Sequence, residues 1–171
     1  MFKHGLFAVA FALSHTLAGV PAVFADKTPE PAGPVVLTVS GAIANESADG
    51  VVRLDMDGLA ALGAIVVETS TIWTEDTAHF VGVSLRDILD YAGVEGDTIE
   101  AVALNDYKVD IPVNEISDDY PIVAYELDGQ AMSPRGKGPL WIIYPYDSKA
   151  EYQSEVVYSR SIWQLDRIVA K

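Results

Sequence analysis

From residue 35 onward, apolar positions either alternate with polar ones or run in short β-branched stretches. Residues 35–40 and 51–55 read as strands separated by a loop rich in Gly, Asn, Ser and Asp. Asp57 is placed to cap a short helix over 58–62, which Gly63 stops. The β-branched run 65–69 predicts a strand, 71–77 a polar loop holding Trp73, and 80–83 a return in extended form. Ser84 opens the clearest helix. Ser84 and Asp87 make an N-terminal capping pair, Leu85, Ile88, Leu89 and Ala92 fall on one face, and Gly93 ends it. Residues 99–104 and 108–111 predict two strands around Asn105, Asp106 and Tyr107, which have tight-turn chemistry. A strand over 122–127 leads into a turn at Asp128 and Gly129, and a strongly apolar strand over 140–144 stops at 145–147. A polar stretch to Glu155 precedes a final strand over 161–169, which places Trp141 and Trp163 inside strands, where core packing is expected. Many strands, one good helix and two weak ones predict an α+β fold.

The first residues change this picture. Lys3 precedes an uncharged apolar run over 5–20, Pro21 breaks it, and Val23 and Ala25 put small side chains at −3 and −1. The pattern predicts a secretory signal over 1–25 with cleavage after Ala25. The run is short for a span of about 20 residues, which weighs against a transmembrane anchor. No twin-arginine pair is present, so the leader reads as one for unfolded export, and any ligand would be acquired outside the cytoplasm. Residues 26–34, mostly KTPEPAGP, read as an extended Pro-rich spacer, and the domain is expected to occupy 35–171.

Composition then narrows the chemistry. The chain has 171 residues, room for one ordinary domain, and no cysteine. Disulfides, thiolate metal sites and cysteine nucleophiles are therefore excluded. The net charge of −14 argues against nucleic acid and against an anionic membrane surface, since both need a basic face. Of the three histidines, His4 and His15 lie in the leader, leaving His79, too few for a usual zinc or copper site. The stretch DMDG at 55–58 fails the EF-hand spacing, because Arg53 and Ala64 would stand at the first and last ligand positions. No G-x-S-x-G elbow is present, and no spacing pairs His79 with a serine. Glu115, Asp118 and Asp119 read as a solvated acidic run. The loop RGKG at 135–138 carries two cations suited to an anion, but it lacks the Walker spacing and reads equally as a plain turn. Trp73 in a loop, Tyr144 and Tyr146 at a strand end, and Arg160 are parts suited to gripping a flat heteroaromatic ring.

The order of these pieces resembles the molybdopterin-binding domain of sulfite-oxidase-like oxidoreductases. The matching segments are FVGVSLRDIL at 80–89 with YAG at 91–93, ALNDY at 103–107, Gly129, KGPL at 137–140, IYP at 143–145, and WQLDRIV at 163–169. The resemblance implies that fold, strand-rich mixed sheets with a few short helices, and a pterin-type cleft. In catalytic members of the family a cysteine in the region of TSTIW at 69–73 ligates molybdenum; this chain has threonines and a serine there. TSTIW and YSRSIWQL at 158–165 look like the small cysteine-free periplasmic members of this fold. Those bind a reduced pterin and contact the periplasmic part of a membrane-bound cyclic-di-GMP enzyme. The resemblance thus implies a periplasmic, non-catalytic, pterin-binding signalling protein that carries no molybdenum. The alternatives are a diverged molybdenum oxidoreductase using an oxygen ligand from Thr69, Ser70 or Thr71, and a ligand-free interaction module. Candidate ligand contacts are Thr71, Trp73, Asp106, Tyr107, Arg135, Tyr144, Tyr146 and Arg160. Trp73 or a tyrosine would meet the ring face, Asp106 or Asp147 the pterin N–H donors, and Arg135 or Arg160 its carbonyl. The acidic surface favours a partner with a basic patch.

Overall fold

The computed structural model describes residues 28–45 and 49–171. The expected leader, its expected cleavage point and the start of the expected spacer lie outside them. Among the described residues, no helix is long and apolar enough to cross a membrane.

Two sheets enclose one core, with short helices packed on them. The first sheet contains β1 (Val35–Gly41), β2 (Val51–Asp55), β5 (Thr98–Ala103), β6 (Lys108–Pro112) and β10 (Leu165–Ala170), in the order β2-β1-β10-β5-β6. β1 and β10 run parallel, and the other neighbours run antiparallel. The second sheet contains β3 (Ile65–Thr69), β4 (Ala78–Ser84), β7 (Ile122–Leu127) and β8 (Gln130–Ala131) in that order, with β9 (Trp141–Ile143) also paired to β7. The α+β architecture expected from the alternation is therefore present. In β1 the period of two buries Leu37 and Val39 completely. At Gly82 a Cβ would stand 2.4 Å from the Val123 carbonyl oxygen, so β4 and β7 approach too closely there for any side chain.

Helix α2 (Leu85–Ala92) follows the expected stripe, with Leu85, Ile88, Leu89 and Ala92 buried. The Ser84 side chain accepts from the Arg86 N–H, and Gly93 closes the helix at φ +66°. Helix α1 (Met56–Ala60) starts earlier than the sequence suggested, because its cap is Asp55 rather than Asp57. Asp55 is the last residue of β2 and keeps extended dihedrals, which is what an N-cap requires. One carboxylate oxygen accepts from the Gly58 N–H at 2.8 Å and the other from the Gly33 N–H at 2.7 Å. Asp55 therefore also pins the Pro-rich segment ahead of β1.

The largest departure is at the C-terminal end. The end of the expected polar stretch and residues 156–160, for which the sequence pattern predicts no element, form helix α3 (Glu155–Arg160), which Ser154 caps. Its Val-Val pair has modest helix propensity, and tertiary contacts decide the outcome. The last strand begins at Leu165, not at 161. Residues 161–164 cross between the sheets. The Ile162 carbonyl accepts from Ile142 N, and Trp141 and Trp163 form an isolated bridge. Gln164 then turns at φ +54° into β10. Trp163 therefore stands outside any strand and is 39% exposed, which corrects its expected place in the core.

Candidate functional site

A cleft of about 400 Å³ opens where four segments meet. This is within the size range of small-molecule sites. The β3–β4 loop supplies Trp73, and the β5–β6 hairpin supplies Ala103, Asn105 and Tyr107. α3 supplies Tyr158 and Ser159, and the crossing segment supplies Ser161, Ile162 and Trp163.

Each contributor is held for a local reason. Within the β3–β4 loop, Thr71 Oγ1 accepts from the Trp73 N–H at 2.9 Å and lies 3.0 Å from Thr74 Oγ1. Thr71 thus shapes the loop that presents Trp73. The Trp73 indole meets four rings edge-on: Trp141 at 5.6 Å, Tyr158 at 5.7 Å, Trp163 at 6.0 Å and Tyr146 at 6.2 Å. The hairpin tip closes as expected from Asn105, Asp106 and Tyr107. Asp106 takes φ +63°, its N–H donates to the Ala103 carbonyl, and Asn105 Oδ1 accepts from the Tyr107 N–H. Asn105 lines the cleft, and using its oxygen locally leaves its amide nitrogen available as a donor. Among the described residues, the Tyr107 and Tyr158 hydroxyls hydrogen-bond no protein group, so they too can serve a ligand.

The eight candidates separate by place. Trp73 and Tyr107 line the cleft, and Thr71 stands behind Trp73. Asp106 shares the hairpin tip, but its carboxylate pairs with Arg167. Tyr144 and Tyr146 are buried behind the wall, at 4% and 1% exposure. The Tyr146 hydroxyl donates to Ser161 Oγ at 2.7 Å, and Ser161 Oγ donates to the Val157 carbonyl at 2.8 Å. Burial pushes the Tyr146 phenol up to about 12, with the Ser161 hydrogen bond opposing it. Burial also raises the Tyr144 phenol, which the charge of Arg160 partly offsets. Both tyrosines therefore stay neutral near pH 7. Arg160 pairs with Glu115 and is only 13% exposed. Arg135 is exposed on the 133–138 loop. Asp147 accepts from both the backbone N–H (2.6 Å) and the hydroxyl (2.7 Å) of Ser70, which hold its carboxyl below the usual range. Asp106, Asp147 and Arg160 are thus all engaged with protein partners.

Sequence reasoning did not single out Asn105, Tyr158, Ser159, Ser161, Ile162 or Trp163 as individual cleft residues. The segment 158–165 stands out in the sequence, but charge singles out Arg160 within it. Residues two apart on a helix lie about 200° apart around its axis, so Tyr158 and Arg160 face different ways. A second hollow, of about 500 Å³, lies beside Arg86, Asp97, Pro112, Val113 and Asn114. It has no aromatic wall, and the Arg86 guanidinium is already tied to the Val113 and Ile116 carbonyls.

The model of one protein family, the oxidoreductase molybdopterin binding domain, matches residues 64–149. The chain belongs to that family. No curated protein matches it. The matched stretch of this molybdopterin-binding domain runs from β3 through β9 and includes Trp73 and the hairpin tip. The cleft wall built by Tyr158, Ser161 and Trp163 lies beyond it.

The family's cofactor combines a pterin ring with a metal, and the residues present fit those two parts differently. The rings and hydrogen-bonding groups of the cleft suit a flat heteroaromatic molecule. Metal ligation has no matching donor set. The whole chain contains no cysteine, and among the described residues no three His, Asp or Glu side chains are grouped to hold a metal. The hydroxyls of the 69–71 loop are committed elsewhere. Thr69 donates to the Ser70 carbonyl and accepts from Asp147 N, Ser70 donates to Asp147, and Thr71 is bonded as described.

Proposed function

We propose that this chain is an exported pterin-binding protein that performs no redox chemistry. It holds a reduced pterin without molybdenum and reports its presence to the periplasmic domain of a membrane-bound cyclic-di-GMP enzyme. The observation that carries the reading is the aromatic cleft: Trp73, Tyr107, Tyr158 and Trp163 surround a space of about 400 Å³. The cleft offers ring faces for stacking, and Asn105, Tyr107 and Tyr158 offer hydrogen-bonding groups for a heterocycle's edge. Membership in a molybdopterin-binding family supports a pterin as the ring. The lack of cysteine and the committed hydroxyls of Thr69, Ser70 and Thr71 favour binding over metal-centred turnover. The leader at 1–25 would place the mature protein in the periplasm, and the resemblance of the 69–73 and 158–165 segments supports the signalling role.

The test is to express the full gene in its native background, purify the protein from the periplasm and denature it. Elemental mass spectrometry then measures molybdenum, and fluorescence with mass spectrometry identifies the released small molecules. A stoichiometric pterin without molybdenum is the expected result. Stoichiometric molybdenum with a dithiolene pterin would overturn the reading in favour of an oxidoreductase. Protein that carries neither, and that fails to take up added reduced pterins, would leave only an interaction module.

A further inference from the structure

The 135–138 loop, with two cations in a strongly acidic chain, is not explained by the cleft alone. Its two cations behave differently. Arg135 is exposed, whereas Lys137 is half-buried. The Lys137 ammonium lies 4.8 Å from the Trp163 ring centroid and 5.2 Å from that of Trp141. Both distances fall within cation–π range. Among the described residues, no carboxylate pairs with Lys137, although acidic side chains outnumber basic ones 25 to 11. The aromatic faces take the place of a counter-ion.

This placement is built into the backbone. Gln164 fastens the loop three times: its N–H donates to the Lys137 carbonyl at 3.0 Å, and its Nε2 donates to the carbonyls of Pro134 (2.7 Å) and Gly136 (3.0 Å). At Gly138 a Cβ would meet the Met132 carbonyl oxygen at 1.9 Å, so the loop closes too tightly there for a side chain. Gln164 directly follows Trp163, so the residue that anchors the lysine loop is the neighbour of the indole that the lysine covers. Trp163 is 39% exposed and has no strand to hold it. Its other ring contact is Trp73, edge-on at 6.0 Å.

We propose that Lys137 is a positioning residue for the cleft: its ammonium on the Trp163 and Trp141 rings fixes the Trp163 indole in the orientation that walls the site, and its positive charge is what does so. The effect on ligand affinity rests on the cleft being the ligand site. The effect on the indole does not.

The experiment compares the wild-type full chain with Lys137→Met, Lys137→Gln and Lys137→Arg, and with Lys137→Met in a Trp163→Phe background. Acrylamide quenching of tryptophan emission reads the indole without ligand. Titration with 7,8-dihydroneopterin under anaerobic conditions reads binding. Neutral replacements should raise the quenching constant measurably and weaken pterin binding by about 2- to 5-fold, the scale of a partly exposed cation–π contact. Lys137→Arg keeps the charge and should hold both readouts near wild type. In the Trp163→Phe background, the effect of Lys137→Met on quenching should vanish. The proposal is overturned if both neutral variants quench like wild type, or if arginine disturbs the indole as much as methionine does. Wild-type protein that ignores the pterin would count against the pterin reading, while the quenching comparison would still decide the role of Lys137.

Discussion

Replacing Trp73 with alanine tests whether this one side chain joins the core to the cleft. Trp73 is half-buried, and its ring covers the edges of Trp141, which is completely buried, and Tyr146, which is nearly so. Truncating a fully buried tryptophan costs about 3–5 kcal/mol. Partial exposure lowers that figure, while four edge-on ring contacts add to it without being additive. A loss of about 2–3 kcal/mol follows, or a fall in Tm of about 4–12 °C for a domain of this size. Trp73→Phe keeps an aromatic edge toward the same neighbours and should cost only about 1 kcal/mol. Urea unfolding followed by far-UV circular dichroism measures both variants, with an unchanged m-value as the check that the end states are comparable. Near-UV circular dichroism should also lose intensity in the alanine variant, because Trp73 links Trp141 to Trp163. An alanine variant within about 0.5 kcal/mol of wild type would refute the reasoning, since surface substitutions fall in that range. Trp73 would then be an exposed loop residue, and the cleft would lack its central wall.

Two further outcomes follow from the hydrogen-bond geometry. Tyr146→Phe removes the donor to Ser161 Oγ but leaves Ser161 donating to the Val157 carbonyl, so denaturant unfolding should show a loss of only about 1 kcal/mol. A cost above about 3 kcal/mol would mean that the hydroxyl pair carries more of α3 than the geometry supports. For Asp147, the Ser70 N–H and hydroxyl lower the folded carboxyl below its unfolded value. Its contribution is therefore full above the unfolded pKa of about 4, and it is lost as pH falls through the lower folded value. The Tm difference between wild type and Asp147→Asn should be constant from about pH 5 to 8 and shrink below about pH 4. A difference that grows on acidification would contradict the assignment.

Much of the fold is determined by local sequence. Period-two alternation specifies β1, and the Ser84 cap, the 85–92 stripe and Gly93 specify α2, because each needs only near neighbours. The chemistry of Asn105 and Asp106 likewise specifies the hairpin tip, where a short polar residue tolerates φ +63°. The absence of cysteine removes thiolate ligation whatever the fold. Trp73 is legible as a candidate because a large aromatic in a polar loop needs a partner, and Tyr107 enters through the family resemblance; both line the cleft.

What tertiary structure alone decided lies mostly between 154 and 164. A six-residue helix with two valines is marginal by propensity, and beyond its Ser154 cap α3 relies on tertiary contacts: Val157 is buried, Tyr158 packs on Trp73 and Tyr146, and Arg160 pairs with Glu115. The crossing at 161–164 uses hydrogen bonds to β9, which lies far from it in sequence until the sheets assemble. Those long-range contacts lift Trp163 out of the strand that its apolar neighbours suggest and set it beside Lys137 and the cleft. Composition supplied the aromatic rings, but the cleft needs three stretches far apart in sequence to meet: the β3–β4 loop, the β5–β6 hairpin and residues 158–163. No local pattern encodes that meeting, because its cost in chain entropy is recovered only when the whole core closes.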